Sequence, residues 1–328
     1  MFFQTELIKN PVIFIILLIL IIFTDGYVHN VDAVQETLSG NLVDIKKFYL
    51  ENMYLEEFKD KGIKIVKTLQ EEQAFTRHLI EYESQGLKIS GMLNVPKGKG
   101  KFPVVILNHG FYGLREFSVG LGFKEAADIF ARNGYVAVGS DYRGNGYSDK
   151  GENFFQHIGY LYDVLYLIEA VKELPYVDKE RIGMWGYSLG GWLTLKAIIV
   201  NRSVKVAAIF GSMSSNDIDN YAAIKSWHPE VLKKVDEVIG PPEENPDVYM
   251  RLSPVSHIKD MPNHIIIHHG EKDESIPIRW AEKLRDSLLK EGKVVEYYAY
   301  TEQGHVLQGK AWTMSMTRTV FFFDKYLK

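Results

Sequence analysis

Residues 182–191 read Ile-Gly-Met-Trp-Gly-Tyr-Ser-Leu-Gly-Gly. The apolar run 182–185 fits a short buried strand, and 189–200 carries apolar residues at helical spacing. The joint between them, Gly186-Tyr187-Ser188-Leu189-Gly190, is a G-x-S-x-G pattern in a strand–turn–helix context. Such a joint lifts a serine on a sharp turn whose backbone is packed tightly on both sides. A Cβ two residues before or after Ser188 would strike the neighbouring strand or helix, so glycine stands at both places. The Leu189 N–H then lies at a helix N-terminus, where it faces a developing oxyanion. Ser188 is therefore the candidate nucleophile. Two other stretches look similar. Residues 146–150, Gly-Tyr-Ser-Asp-Lys, lack the second glycine and follow no adequate strand. Residues 211–214, Gly-Ser-Met-Ser, follow a strand but also lack the pattern. Both read as loops.

The same rhythm extends along the chain. Short apolar runs occur at 104–107, 135–139, 204–210, 265–267 and 294–300. Runs without polar alternation fit strands buried on both faces of a parallel sheet. Helix-period segments lie among them at 123–133, 155–173, 278–291 and 311–326. This alternation predicts an α/β fold, with a mostly parallel central sheet and helices on both faces. Upstream, 75–83 and 87–95 read as two strands of a hairpin around Ser84-Gln85-Gly86. Residues 42–58 have roughly helical apolar spacing and predict an amphipathic helix within a lead-in segment, 34–74. Residues 212–263 break the rhythm, carry Pro241-Pro242 and are long for a connection. They predict a small helical cap over the sheet of the main domain, 75–328.

A serine at its ordinary pKa is a weak nucleophile; it needs a base, and the base needs an orienting acid. In proteins that carry the serine on a G-x-S-x-G elbow, the triad follows in the chain order serine, acid, histidine. After the strand ending at His268 comes His269-Gly270-Glu271-Lys272-Asp273, and after the last strand comes Gln303-Gly304-His305. Both lie beyond the C-terminal ends of strands, where open α/β sheets place their sites. Asp273 would hold the imidazole tautomer, and His305 would take the proton of Ser188 and hand it to the leaving group. Asp217 is the runner-up acid because it follows the preceding strand; Glu271 and Asp260 also compete. His268 and His269 resemble a metal pair, but adjacent residues on a strand face opposite ways and no third ligand is evident. The loop after the strand 104–107 reads Asn108-His109-Gly110-Phe111-Tyr112-Gly113. Gly110 allows close backbone approach, and Phe111 N–H is the expected second oxyanion donor. His109 precedes the serine and reads as a loop-shaping residue. Tyr112 and Tyr187 are expected to touch substrate. The cap would shape the acyl pocket, with Tyr221, Trp227 and Tyr249 as lining candidates or core aromatics.

Composition narrows the classes. The 328 residues carry 38 Lys and Arg against 42 Asp and Glu, a net charge of −4. Nucleic-acid binding, which needs a basic surface, is not suggested. Cysteine is absent, which removes disulfides, thiolate metal sites and cysteine nucleophiles. No metal or cofactor is called for. The N-terminal 33 residues are different material. Residues 12–23, Val-Ile-Phe-Ile-Ile-Leu-Leu-Ile-Leu-Ile-Ile-Phe, have no polar side-chain atom, and no Lys or Arg follows Lys9 until Lys46. This asymmetry predicts the N-terminus inside and the rest translocated. Twelve residues of helix rise roughly 18 Å, short of a bilayer core of about 30 Å. A signal peptide ending near Val31-Asp32-Ala33 and an uncleaved membrane anchor both remain open. Either places the catalytic part outside the cytoplasm.

Taken together, the motifs resemble the catalytic domain of the prolyl oligopeptidase-like (peptidase S9) branch of the α/β-hydrolases, and the related acyl-peptide hydrolases and esterases. The matching pieces are 87–96 (LKISGMLNVP), 108–113 (NHGFYG), 140–148 (SDYRGNGYS), 178–191 (DKERIGMWGYSLGG), 253–258 (SPVSHI), 269–277 (HGEKDESIP) and Gly304-His305. They span about residues 75 to 327. The resemblance implies the α/β-hydrolase fold, a triad of Ser188, Asp273 and His305, and oxyanion donors Phe111 and Leu189. It implies that Asp141 and Arg143 brace the site loops. Two features depart from the pattern. Only about forty residues separate the leader from the first predicted strand, too few for the β-propeller of the larger members. His109-Gly110-Phe111-Tyr112 replaces the His-Gly-Gly-Pro common in the branch. The pairs Glu56-Glu57 and Glu71-Glu72 resemble the amine-holding glutamates of dipeptidyl peptidases but read better as solvated helix faces.

The sequence thus predicts an extracytoplasmic serine hydrolase acting through an acyl-enzyme. A peptidase on short peptides is the first form, a carboxylesterase on small acyl esters the second, and a noncatalytic hydrolase-fold binding protein the third. Oligomeric state is left open. Ser188→Ala is expected to lower kcat by about 10⁴-fold or more and to abolish labelling by a fluorophosphonate probe; full activity in a clean preparation of that variant would refute the assignment.

Overall fold

The computed structural model describes residues 44–328 except 55, 59–61, 113–117, 152–155 and 228. The expected leader (1–33), with its apolar run and candidate cleavage site, and the start of the lead-in lie outside the described residues. Among the described residues no helix is long and apolar enough to cross a membrane.

The described chain builds one nine-stranded sheet. Its strands are β1 (Lys64–Glu71), β2 (Phe75–Ser84), β3 (Leu87–Pro96), β4 (Phe102–Asn108), β5 (Val136–Ser140), β6 (Val177–Tyr187), β7 (Val204–Phe210), β8 (His264–Gly270) and β9 (Val294–Tyr300). They lie in the order β1-β2-β3-β5-β4-β6-β7-β8-β9. From β5 to β9 every pairing is parallel, whereas β1, β2 and β3 pair antiparallel and β3 meets β5 antiparallel. The helices are α1 (Leu50–Met53), α2 (Lys124–Arg132), α3 (Gln156–Lys172), α4 (Leu189–Val200), α5 (Asp217–Trp227), α6 (Pro229–Val238), α7 (Pro246–Leu252), α8 (Ile278–Lys290) and α9 (Gly309–Leu327).

The apolar runs explain the layers. Successive strand residues point to opposite faces, so a strand without polar alternation must be covered twice. Val104 and Ile106 of β4, Ile182 and Met184 of β6, and Ile265 and Ile267 of β8 enter one core with α3, α4 and α8. Val105 and Leu107, Trp185, and Ile266 enter the other, under α2 and α9. All six predicted parallel strands are present. The predicted hairpin is also present, its turn at Gln85-Gly86.

The lead-in differs from its predicted helix. Its described part holds a 3-10 turn (Ile45–Phe48), the one-turn α1, and then β1, all eight of whose residues are exposed. An edge strand covered on neither face has no hydrophobic alternation to display, which is why 64–71 did not read as a strand. Its pairing shifts register twice, irregularities that twist an edge away from partners. Glu71 therefore ends a strand, not a helix face, and accepts hydrogen bonds from Lys97 and Thr76. The segment 212–263 does form helices, α5 to α7 and a 3-10 stretch (Pro254–Asp260). Tyr221, Leu232, Ile239, Tyr249 and Leu252 make its own small core, which Tyr49 of the lead-in joins.

The loop after β5 is tied down from two sides. Asp141, fully buried, accepts from the Ser90 hydroxyl at 2.6 Å and the Gly120 N–H at 3.3 Å. Burial pushes its carboxyl up to about 6, against those two bonds. Arg143 forks onto Asp163 of α3, Nη2 to Oδ1 at 2.7 Å and Nε to Oδ2 at 3.1 Å. Burial raises the Asp163 pKa, and Arg143 opposes the rise. Arg143→Met leaves that carboxylate buried without its cation and is expected to cost about 3–5 kcal/mol in urea unfolding. Arg143→Lys should recover only part, since lysine lacks the planar fork; full recovery by lysine would show that charge alone is sufficient.

Candidate active site

The β6–α4 joint sets the serine. Ser188 has φ +57° and ψ −121°, a left-handed φ that serine seldom adopts. The backbone around it leaves no choice. A Cβ on Gly186 would meet the Gly190 carbonyl and Thr194 Oγ1, and one on Gly190 would meet the Asn108 carbonyl of β4. Asn108 Nδ2 donates to Thr194 Oγ1 at 2.8 Å, and Thr194 Oγ1 donates to the Gly190 carbonyl at 2.8 Å. Ser188 N–H donates to the Phe210 carbonyl at 2.9 Å. The serine is thus fastened to β4 and β7 as well as to its own strand and helix.

Three separated side chains meet at this point. His305 Nε2 lies 3.0 Å from Ser188 Oγ, and His305 Nδ1 lies 2.9 Å from Asp273 Oδ2. With Asp273 ionised, Nδ1 is the donor, which leaves Nε2 to accept the serine proton. Asp273 has a fully buried side chain. Burial alone would raise its pKa, but hydrogen bonds from His269, His305 and the Ile276 N–H outweigh that and hold it well below the usual carboxylate range. Its Oδ1 accepts from Ile276 N–H at 2.7 Å and Ser275 N–H at 2.9 Å.

The competing acids lie elsewhere. Asp217 is paired with Lys196 at 2.7 Å and accepts from Trp192 Nε1 at 2.6 Å. Glu271 is exposed, and Asp260 pairs with Arg202 at 3.2 Å. His268 and His269 do face opposite ways. His268 lies 2.9 Å from the Tyr300 hydroxyl and 3.0 Å from Thr319 Oγ1, whereas His269 Nε2 lies 3.2 Å from Asp273. Burial, aided by Arg318, lowers the His268 pKa to about 3, so it is a neutral packing residue. Among the described residues no group of three or more His, Asp or Glu side chains could hold a metal. His109 is buried, stacked 4.2 Å from Tyr142, and lowered by burial to about 4. It shapes the loop.

That loop runs beside the serine: a Cβ on Gly110 would lie 3.2 Å from Ser188 Cβ. Leu189 opens α4, where the first amide groups have no intrahelical acceptor. Phe111, the residue after Gly110, is 57% exposed. Tyr112 and Tyr187 line a cavity of about 600 Å³ with His305, and the Tyr187 ring lies 5.1 Å from the imidazole. Tyr221 and Tyr249 line a separate cap cavity of about 370 Å³ that none of Ser188, Asp273 and His305 borders. Trp227 lies at a third hollow with Trp280. The three aromatics expected around an acyl pocket are therefore parts of the cap. One neighbour went unread in the sequence: Glu274, whose Oε2 accepts the His305 backbone N–H at 3.3 Å. An exposed acid in a turn carries no sequence signal.

A doubly covered parallel sheet, a strained serine at a strand–helix joint and a histidine beyond the last strand define a serine hydrolase of the α/β-hydrolase fold. Residues 121–328 match the model of the prolyl oligopeptidase family, and the chain belongs to that family. It is 26% identical over 235 residues to the uncharacterized peptidase YtmA of Bacillus subtilis, covering 71% of this chain and 87% of that one. The acylaminoacyl peptidase of Pyrococcus horikoshii superposes with a TM-score of 0.65 at 25% identity, over 78% of this chain but only 42% of that one. The acetyl xylan esterase of Paenibacillus sp. R4 superposes with a TM-score of 0.65 at 17% identity, over 88% of this chain and 96% of that one.

Because the folded-state pKa of Asp273 is depressed, its contribution to stability is present above the unfolded value of about 3.9 and is lost as the pH falls through and below it. Wild type should therefore be more stable than Asp273→Asn at neutral pH, with the gap closing on acidification below about pH 5. Urea midpoints measured across that range would overturn this if the gap stayed constant.

Proposed function

We propose that Ser188 attacks an ester or amide carbonyl and that His305, oriented by Asp273, moves the proton. The unbroken hydrogen-bond chain from Ser188 Oγ through both imidazole nitrogens to Asp273 carries this reading. As the Oγ–C bond forms, Nε2 takes the serine proton. The Leu189 and Phe111 N–H groups receive the oxyanion. The imidazolium then protonates the leaving oxygen or nitrogen, the acyl-enzyme forms, and water releases the acid by the same steps in reverse order. No part of this sequence calls on a metal or a cofactor.

The substrate we propose is a short peptide, cleaved as the names of the family's peptidases imply for those proteins. A second reading, hydrolysis of small acyl esters, is favoured by one observation: the esterase of matching fold is covered almost end to end. We also place the catalytic domain outside the cytoplasm, on the charge asymmetry around residues 12–23. Mass spectrometry of the exported protein checks this and tells cleavage from anchoring.

Paired assays on an aminoacyl amide and an acyl ester of the same acid separate the readings. The peptidase form predicts turnover of both; a kcat/KM that favours the ester by many orders of magnitude would leave only the esterase. In either case Asp273→Asn should lower kcat by about 10⁴-fold, through loss of the productive imidazole tautomer.

A further inference from the structure

Building on the roles of Ser188 and His305 proposed above, we infer that the 600 Å³ cavity beside His305 is the leaving-group pocket, and that it takes an uncharged aromatic or large apolar alcohol or amine. The chemistry fixes the side. When the bond from the carbonyl carbon to the leaving oxygen or nitrogen breaks, its electron pair is protonated from His305 Nε2. The leaving atom must then lie within hydrogen-bond reach of that nitrogen, and the rest of the leaving group continues along the imidazole's flank.

The walls meet this requirement. They include His305 and the four residues that follow it, together with Tyr112 and Tyr187. Ser188 is not among them, and neither is any residue of the cap, 212–263. The cavity therefore opens on the imidazole side of the serine–histidine pair. Its opposite wall is the loop and first turn of α2, residues 118–126.

The lining selects the ligand. Tyr112, Tyr187 and Trp312, each partly exposed, supply aromatic faces, over an apolar floor of buried Phe123, Trp185 and Phe210. Lys124 and Glu125, charged and of opposite sign, are both exposed, and Glu125 accepts from Trp312 Nε1 at 2.7 Å. His268 on the same lining makes its hydrogen bonds to Tyr300 and Thr319. An ionised leaving group would find no buried counter-charge among these groups, whereas an aromatic ring would exchange water for ring faces.

Methyl and 2-phenylethyl esters of one acid test this, because their alcohols differ little in acidity and greatly in apolar size. The full chain should hydrolyse the 2-phenylethyl ester with a kcat/KM at least about tenfold higher, the scale of hydrophobic-pocket discrimination. Leu121→Trp, which fills the cavity from the loop side, should erase that preference. As a readout without any variant, 2-phenylethanol should inhibit competitively at concentrations where ethanol does not. Labelling by a fluorophosphonate together with equal kcat/KM for the two esters would overturn the pocket and leave the hydrolase standing. No labelling and no ester turnover would overturn both.

Discussion

Ser188 holds a backbone conformation that serine does not favour, and the site depends on its being held there. A strained residue of this kind costs on the order of 1–3 kcal/mol and persists only where its surroundings over-determine it. Here they do. The helix that follows is buried along its whole length. The strand that precedes it lies between β4 and β7, with partners on both edges. Gly186 and Gly190 bring the joint into direct contact with backbone, so relaxation would have to move the sheet itself. The strength of the two cores is thus what keeps one hydroxyl raised above the ends of the strands.

The charges around that hydroxyl are sorted by burial. Asp273 stays ionised because several donors converge on it, not because it is solvated. His109 and His268 are held neutral by burial and serve as packing. Two buried ion pairs, Arg143–Asp163 and Lys196–Asp217, fix the loop after β5 and the cap against α4. Such pairs need not add net stability, because desolvation offsets much of their attraction. What they add is position: neither carboxylate is free to compete for His305.

The fold carries more than one hollow, and their chemistry differs. The cavity beside His305 is bordered by the segments that carry Tyr112, Tyr187 and His305, whereas the cap cavity is bordered by α5 to α7 and the Lys196–Asp217 pair. The cap is a satellite core of its own rather than a lid whose walls reach the imidazole. Family membership covers the α/β-hydrolase scaffold, and the peptidase and esterase neighbours share it. Scaffolds of this kind host several chemistries, because function resides in sites grafted on them.

The sequence by itself determined the six parallel strands, the strand–serine–helix joint, and the order Ser188, Asp273, His305. Those features are local or periodic: strands covered on both faces must be apolar throughout, and a joint this tight must be flanked by glycine. It could not show β1, because an edge strand exposed on both faces has no pattern to betray it. Nor could it show that Asp217 turns to Lys196 instead of His305, that Glu274 holds the His305 backbone, or which hollow borders the imidazole. These depend on side chains that are 20 to more than 100 residues apart in the chain. Only the packing of helices against the sheet brings such groups within hydrogen-bond distance, so only the tertiary structure could decide them.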